Sequence, residues 1–117
     1  MKSMRFPGLL AALVAGLALA HAHLEQTVPA NGATLQAAPH EFRLRFAEPV
    51  RLTALSLQKE QGEAQKLPLP GSNALREFAF PAPALTAGHY QLIWRALSDD
   101  GHVMPGKLSF TIAAPAH

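Results

Sequence analysis

The chain has no cysteine. That excludes disulfides, thiolate zinc sites and cysteine nucleophiles together. Any metal bound here must be held by nitrogen, oxygen or the sulfur of methionine. Methionine is scarce as well: of the three in 117 residues, two are Met1 and Met4, and the third is Met104. Aromatic residues are scattered and no basic cluster stands out, which argues against a nucleic-acid partner. No segment sustains a helical period of apolar residues, and neither an internal repeat nor a second domain is visible.

The chain has one long apolar run, Leu9 to Ala20, behind the basic start Met1-Lys2-Ser3-Met4-Arg5. It is short of the roughly 20 residues that a spanning helix needs. It closes on the small-x-small pattern Ala18-Leu19-Ala20. Residues 1–20 therefore read as a secretory signal peptide cut after Ala20, with an uncleaved anchor as the competing reading. The expected location is the periplasm, with no membrane span left after cleavage. Lys2 and Arg5 leave with the signal, so ten Lys/Arg become eight against eight Asp/Glu, and the mature charge is zero. The basic isoelectric point of the full chain comes from the leader.

Residues 21–117 read as one all-β domain. Phe42, Leu44 and Phe46 alternate with Arg43 and Arg45, the period of a half-buried strand. Leu52–Leu57 reads as a second strand, with its apolar residues less strictly spaced. Gln61-Gly62-Glu63 is a turn into Gln65–Leu67. Leu75–Phe80, Tyr90–Ala96 and Lys107–Ile112 are further strands. In the last two, Tyr90, Leu92, Trp94 and Ala96, then Leu108, Phe110 and Ile112, share a face. Pro and Gly punctuate these runs. Short strands at this spacing predict a small β-sandwich or barrel. The expected core is Phe42 or Phe46, with Leu55, Leu57, Phe78, Phe80, Leu92, Trp94, Phe110 and Ile112.

Two features carry chemistry. Cleavage after Ala20 makes His21 the first residue, and its free amine and imidazole Nδ1 can chelate one metal ion. Both protonate near neutrality, so a metal can displace their protons. Nitrogen donors in a plane favour Cu(II) or Ni(II). A rival geometry uses the same segment: in His21-Ala22-His23 the amine, two backbone amides and the His23 imidazole can form a square-planar site. A cut after Ala22 would leave His23 terminal instead. The second feature is Ser98-Asp99-Asp100-Gly101-His102, directly after the strongest strand. Asp100 and His102 are two apart, and in an extended segment both would point the same way. Read alone, it is a turn with a loop histidine. Together, terminus and loop supply an amine, two imidazoles and a carboxylate, a full coordination set for Cu(II). His40, His89 and His117 have no evident partner.

At these residues the chain resembles the CopC family of periplasmic copper-resistance proteins. The resemblance rests on His21-x-x-Leu24, Thr27-Val28-Pro29-Ala30-Asn31-Gly32, Leu44-Arg45-Phe46-Ala47-Glu48, Leu85-Thr86-Ala87-Gly88-His89-Tyr90, Trp94 through His102, and Gly106-x-x-Ser109-Phe110. It implies a cupredoxin-like Greek-key sandwich of about seven strands. It implies a Cu(II) site of His21, Asp100 and His102, with Glu48 as a weak or outer ligand. It also implies a non-catalytic role in copper sequestration or delivery, with an inner-membrane, CopD-like copper transporter as a separate partner. The Met-rich Cu(I) segment of some members has no counterpart, since no methionine lies between Arg51 and Phe80. Two other readings compete. One is a histidine-brace oxidative copper enzyme, for which the chain is short. The other is a metal-free immunoglobulin-like adhesion or assembly module.

Overall fold

The computed structural model describes residues 23–115. Seven strands run in chain order: β1 (Leu24–Val28), β2 (Ala33–Leu35), β3 (Glu41–Lys59), β4 (Ala64–Lys66), β5 (Leu75–Pro81), β6 (Gly88–Ser98) and β7 (Val103–Ile112). They form one curled sheet in the order β1-β3-β6-β7-β2, with β4 and β5 also paired to β3. The fold is the expected all-β one.

β3 organises the molecule. Its first half, through Arg45 and Phe46, pairs with β1 on one edge and β5 on the other. Its second half, from Val50, pairs with β6 and β4. The two strands read from the sequence as Phe42–Phe46 and Leu52–Leu57 are thus halves of one strand of 19 residues. The β5 register breaks between Arg45 and Val50, so Pro49 sits where no ladder bond to β5 is lost. A second irregularity explains the loose apolar spacing. Leu52 faces Ala96 and Ala54 faces Arg95, so Thr53 is an extra residue. Such a bulge inverts the alternation. Val50 and Leu52 are buried before it, and Leu55 and Leu57 after it.

The two halves close on an aromatic core. Phe42 lies 5.8 Å from Phe80, its partner across β3 and β5, and 5.7 Å from Phe110 of β7. Tyr90 stacks on Phe110 at 5.4 Å, and Phe46 meets Phe78 edge-on at 6.2 Å. Each such pair adds roughly 0.5–1.5 kcal/mol beyond simple burial. Every residue expected in the core is buried, Phe42 and Phe46 both; Leu44, Val50, Leu52, Leu67, Tyr90, Ala96 and Leu108 join them. Trp94 is packed over the backbone of Gly106, where any Cβ would stand 2.4 Å from the indole. Only glycine fits there.

β1 and β2 escape a pattern reading because they bury little. Leu24–Val28 shows no residue fully buried, and β2 is three residues long. β1 is placed by its ladder to β3, and β2 by the turn that links it to β1. Gly32 N donates to Ser109 O at 2.6 Å, and Asn31 Oδ1 accepts from Ser109 N at 2.8 Å. The Asn-Gly turn thereby lays β2 parallel to β7, with Ala33 opposite Phe110.

Candidate metal centre

β6 and β7 form a hairpin whose tip is Ser98–His102. Gly101 N donates to Ser98 O at 3.0 Å, and Ser98 N donates to His102 O at 2.9 Å. This is a three-residue loop, a turn followed by a residue in left-handed conformation. Gly101 fills that position with φ of +91°. The turn folds Asp100 back over the hairpin mouth. Its Oδ1 accepts from the Ser98 hydroxyl and, more weakly, from His102 N at 3.4 Å. The same oxygen stands 3.0 Å from His102 Nδ1. Asp100 and His102 therefore meet because the chain turns, and not, as the two-residue spacing suggests, because it is extended.

The electrostatics follow from these contacts. The Ser98 hydroxyl first, then His102, hold the Asp100 carboxyl down at a pKa of about 2. It is an anion throughout the neutral range. An anion beside Nδ1 favours the tautomer with its proton there, which leaves the Nε2 lone pair free. The imidazole is 77% exposed, so that lone pair faces solvent. A carboxylate that orients an imidazole in this way also raises its basicity toward a metal.

The remaining candidates are placed as follows. His21 and His117 lie outside the described residues. Glu48 is exposed at the bend of β3, two residues before Val50, whose register partner is Ser98. Pro49, Ser98, Asp99 and Gly101 line one shallow cavity, so the β3 bend and the hairpin tip are neighbours. Among the described residues, however, no three His, Asp or Glu side chains gather closely enough to hold a metal ion. The structure joins Asp100 to His102 and does not bring Glu48 into that pair. The chain enters the sheet at the same bend: Ala47 N donates to His23 O at 2.7 Å. The His23 side chain lines a different cavity, with Met104 and Trp94.

Ser98 is the residue of the candidate site that sequence reasoning passes over. It is 9% exposed and supplies both the backbone closure of the loop and the hydroxyl that grips Asp100. A serine two residues before an aspartate at a strand end is the signal that was available. His89, without evident partner in the sequence, places Nδ1 2.8 Å from Thr111 Oγ1 across the β6–β7 register.

The CopC domain model matches residues 24–113. The chain belongs to the CopC family. This CopC-family chain is 34% identical over 110 residues to copper resistance protein C of Pseudomonas syringae pv. tomato, covering 86% of each. Among solved structures, it matches CopC from Methylosinus trichosporium OB3b with a TM-score of 0.67 and 28% identity, over 83% of this chain and 98% of that one. It matches PcoC of Escherichia coli, described as a methionine-rich copper resistance protein, with a TM-score of 0.57 and 29% identity, over 80% and 99%. The matched span takes in the hairpin tip and the β3 bend and begins one residue after His23.

Proposed function

We propose that this chain is a periplasmic Cu(II) carrier, exported by residues 1–20 and mature from His21 to His117. The His21 amine and imidazole, with the Asp100 carboxylate and the His102 imidazole, hold one Cu(II); to reach the same ion, Asp100 exchanges its contact with His102 Nδ1 for the metal. Glu48, at the neighbouring bend, acts at most as an outer ligand. The observation that carries this reading is the Asp100–His102 pair, an anchored carboxylate and a solvent-facing imidazole. It lies beside the bend where the chain enters the sheet. From His23 the main chain spans at most about 7 Å back to His21. The names of the copper-resistance relatives support a binding role rather than a catalytic one. Sequestration and delivery of copper accord equally with those names; in the delivery reading an inner-membrane, CopD-like transporter is the separate acceptor.

The donors suit the ion. Two imidazoles, an amine and a carboxylate are borderline-to-hard ligands that favour Cu(II) over Cu(I). The competing square-planar site would pull the His23 imidazole out of its cavity with Met104 and into the plane of its own backbone. That rearrangement favours the His21–Asp100–His102 set. The test is Cu(II) paramagnetic resonance and affinity on protein purified from the periplasm, wild type against His102→Ala. The reading expects a changed spectrum and sharply weaker binding in the variant. Matching spectra would leave copper on His21-Ala22-His23 alone and make the hairpin tip purely structural.

A further inference from the structure

A second cavity opens at the seam between the start of β1 and strand β7. Its volume is about 260 Å³, and its walls include His23, Phe46, Trp94, Met104, Gly106 and Lys107. Met104 is partly buried against the core, while His23 is exposed at the rim. Trp94 is 3% exposed and forms the inner wall. The cavity thus gathers a thioether, an imidazole and an indole. These differ in kind from the amine, carboxylate and imidazole set at the hairpin tip. Thioether sulfur is soft and selects Cu(I) or its analogue Ag(I) over divalent ions. An indole attracts a nearby cation through its ring quadrupole. Lys107 also borders the cavity, but it is exposed, and its repulsion of a monovalent ion is half that of a divalent one.

We propose that His23 and Met104, walled by Trp94, form a site for one soft monovalent cation, Cu(I) or Ag(I). The site shares no ligand with the proposed Cu(II) centre and does not depend on it. It also differs in kind from a methionine-rich segment, because a single thioether works with one imidazole and one ring. Binding ties the first residues of β1 to β7, across the two edges of the curled sheet.

The chain offers unusually clean probes. Met104 is the only methionine after residue 4, and Trp94 is the only tryptophan. The experiment titrates Ag(I), which needs no reductant, into periplasmically purified protein carrying ¹³C-methyl methionine. The Met104 methyl resonance and Trp94 fluorescence are followed in wild type, Met104→Leu and His23→Ala. Leucine conserves volume at a packed position, so the first variant folds; His23 is exposed, so the second does also. The expected result is a Met104 methyl shift that saturates at one equivalent, with a parallel change in Trp94 emission. Each substitution should weaken Ag(I) binding by about tenfold or more. Ag(I) binding that leaves the Met104 methyl in place overturns the proposal, as does undiminished affinity in either variant. The Cu(II) spectrum of Met104→Leu should match wild type. The His102→Ala comparison reads the Cu(II) centre independently, so failure of one site is not mistaken for failure of the other.

Discussion

The two ends of the β6–β7 hairpin each present an exposed histidine held through Nδ1, and they are built differently. At the closed end, His102 leans on a carboxylate that a tight turn and a serine hydroxyl have locked in place. At the open end, His89 leans on the hydroxyl of Thr111, its neighbour across the strands. Roughly 30 Å of strand separates them. A neutral hydroxyl can accept or donate, so it leaves the tautomer of His89 open. A carboxylate held well below its ordinary pKa can only accept, and so selects the Nδ1–H tautomer at His102. The closed end also lies beside the bend where the amino-terminal segment joins the sheet. Preorganisation, more than the presence of a histidine, separates a candidate metal site from an ordinary surface imidazole.

The largest effect should come from removing the amine. One extra residue ahead of His21 should lower Cu(II) affinity by more than about 100-fold, beyond the span of outer-shell changes. His89→Ala at the other end should leave affinity unchanged. Competition titration with a chelator of known strength checks both. Equal losses in the two variants would erase the distinction between the ends.

Asp100→Asn comes next. It keeps size and removes the charge, so His102 loses the partner that fixes its tautomer. Cu(II) affinity should fall by about 10- to 100-fold. Thr111→Val, the matching change beside His89, should not alter it. If Asp100→Asn bound copper as tightly as wild type, the carboxylate would be neither a ligand nor an orienting group.

Gly101→Ala tests the turn alone. No atom lies within 4 Å of where its Cβ would stand, so the cost is purely one of conformation at positive φ. That strain is about 1–2 kcal/mol, measurable as lost unfolding free energy. Copper affinity should fall with it, because the same turn carries Asp100 over the hairpin mouth.

Much of this was legible in the residues. The strict alternation of Tyr90–Ala96 and Leu108–Ile112 names the inner face of β6 and β7 directly. Leu52–Leu57 was legible only as a looser strand, because the bulge at Thr53 moves the buried set by one position. The union of the two β3 segments through Pro49 was not legible, since a proline normally ends a strand and only the missing ladder bond at the bend permits it. β1 and β2 were hidden because their positions come from hydrogen bonding, β1 to β3 and β2 through Asn31 and Gly32 to Ser109, and not from burial. At the site, the residue types pointed to Asp100 and His102, yet the geometry that joins them is a turn. Its organiser, Ser98, looked like any small polar residue at a strand end.

The smallest effect isolates that organiser. In the metal-free protein, Ser98→Ala should raise the Asp100 pKa from about 2 toward its ordinary value of 3.8, because the hydroxyl bond is the largest cause of the depression. Carboxyl ¹³C resonances followed through acid titration give the midpoint. The folded pKa lies below the unfolded one, so the stabilisation is complete above about pH 4 and disappears as pH falls toward 2. Any stability gap between wild type and Ser98→Ala that arises from this bond should therefore narrow across that window. A gap that stayed constant with pH would mean that the Ser98 hydroxyl stabilises the turn by accepting from His102 N, at 3.2 Å, and not through Asp100. The low pKa of Asp100 would then have to come from His102, and the two ends of the hairpin would differ by their histidine partners and not by the serine behind one of them.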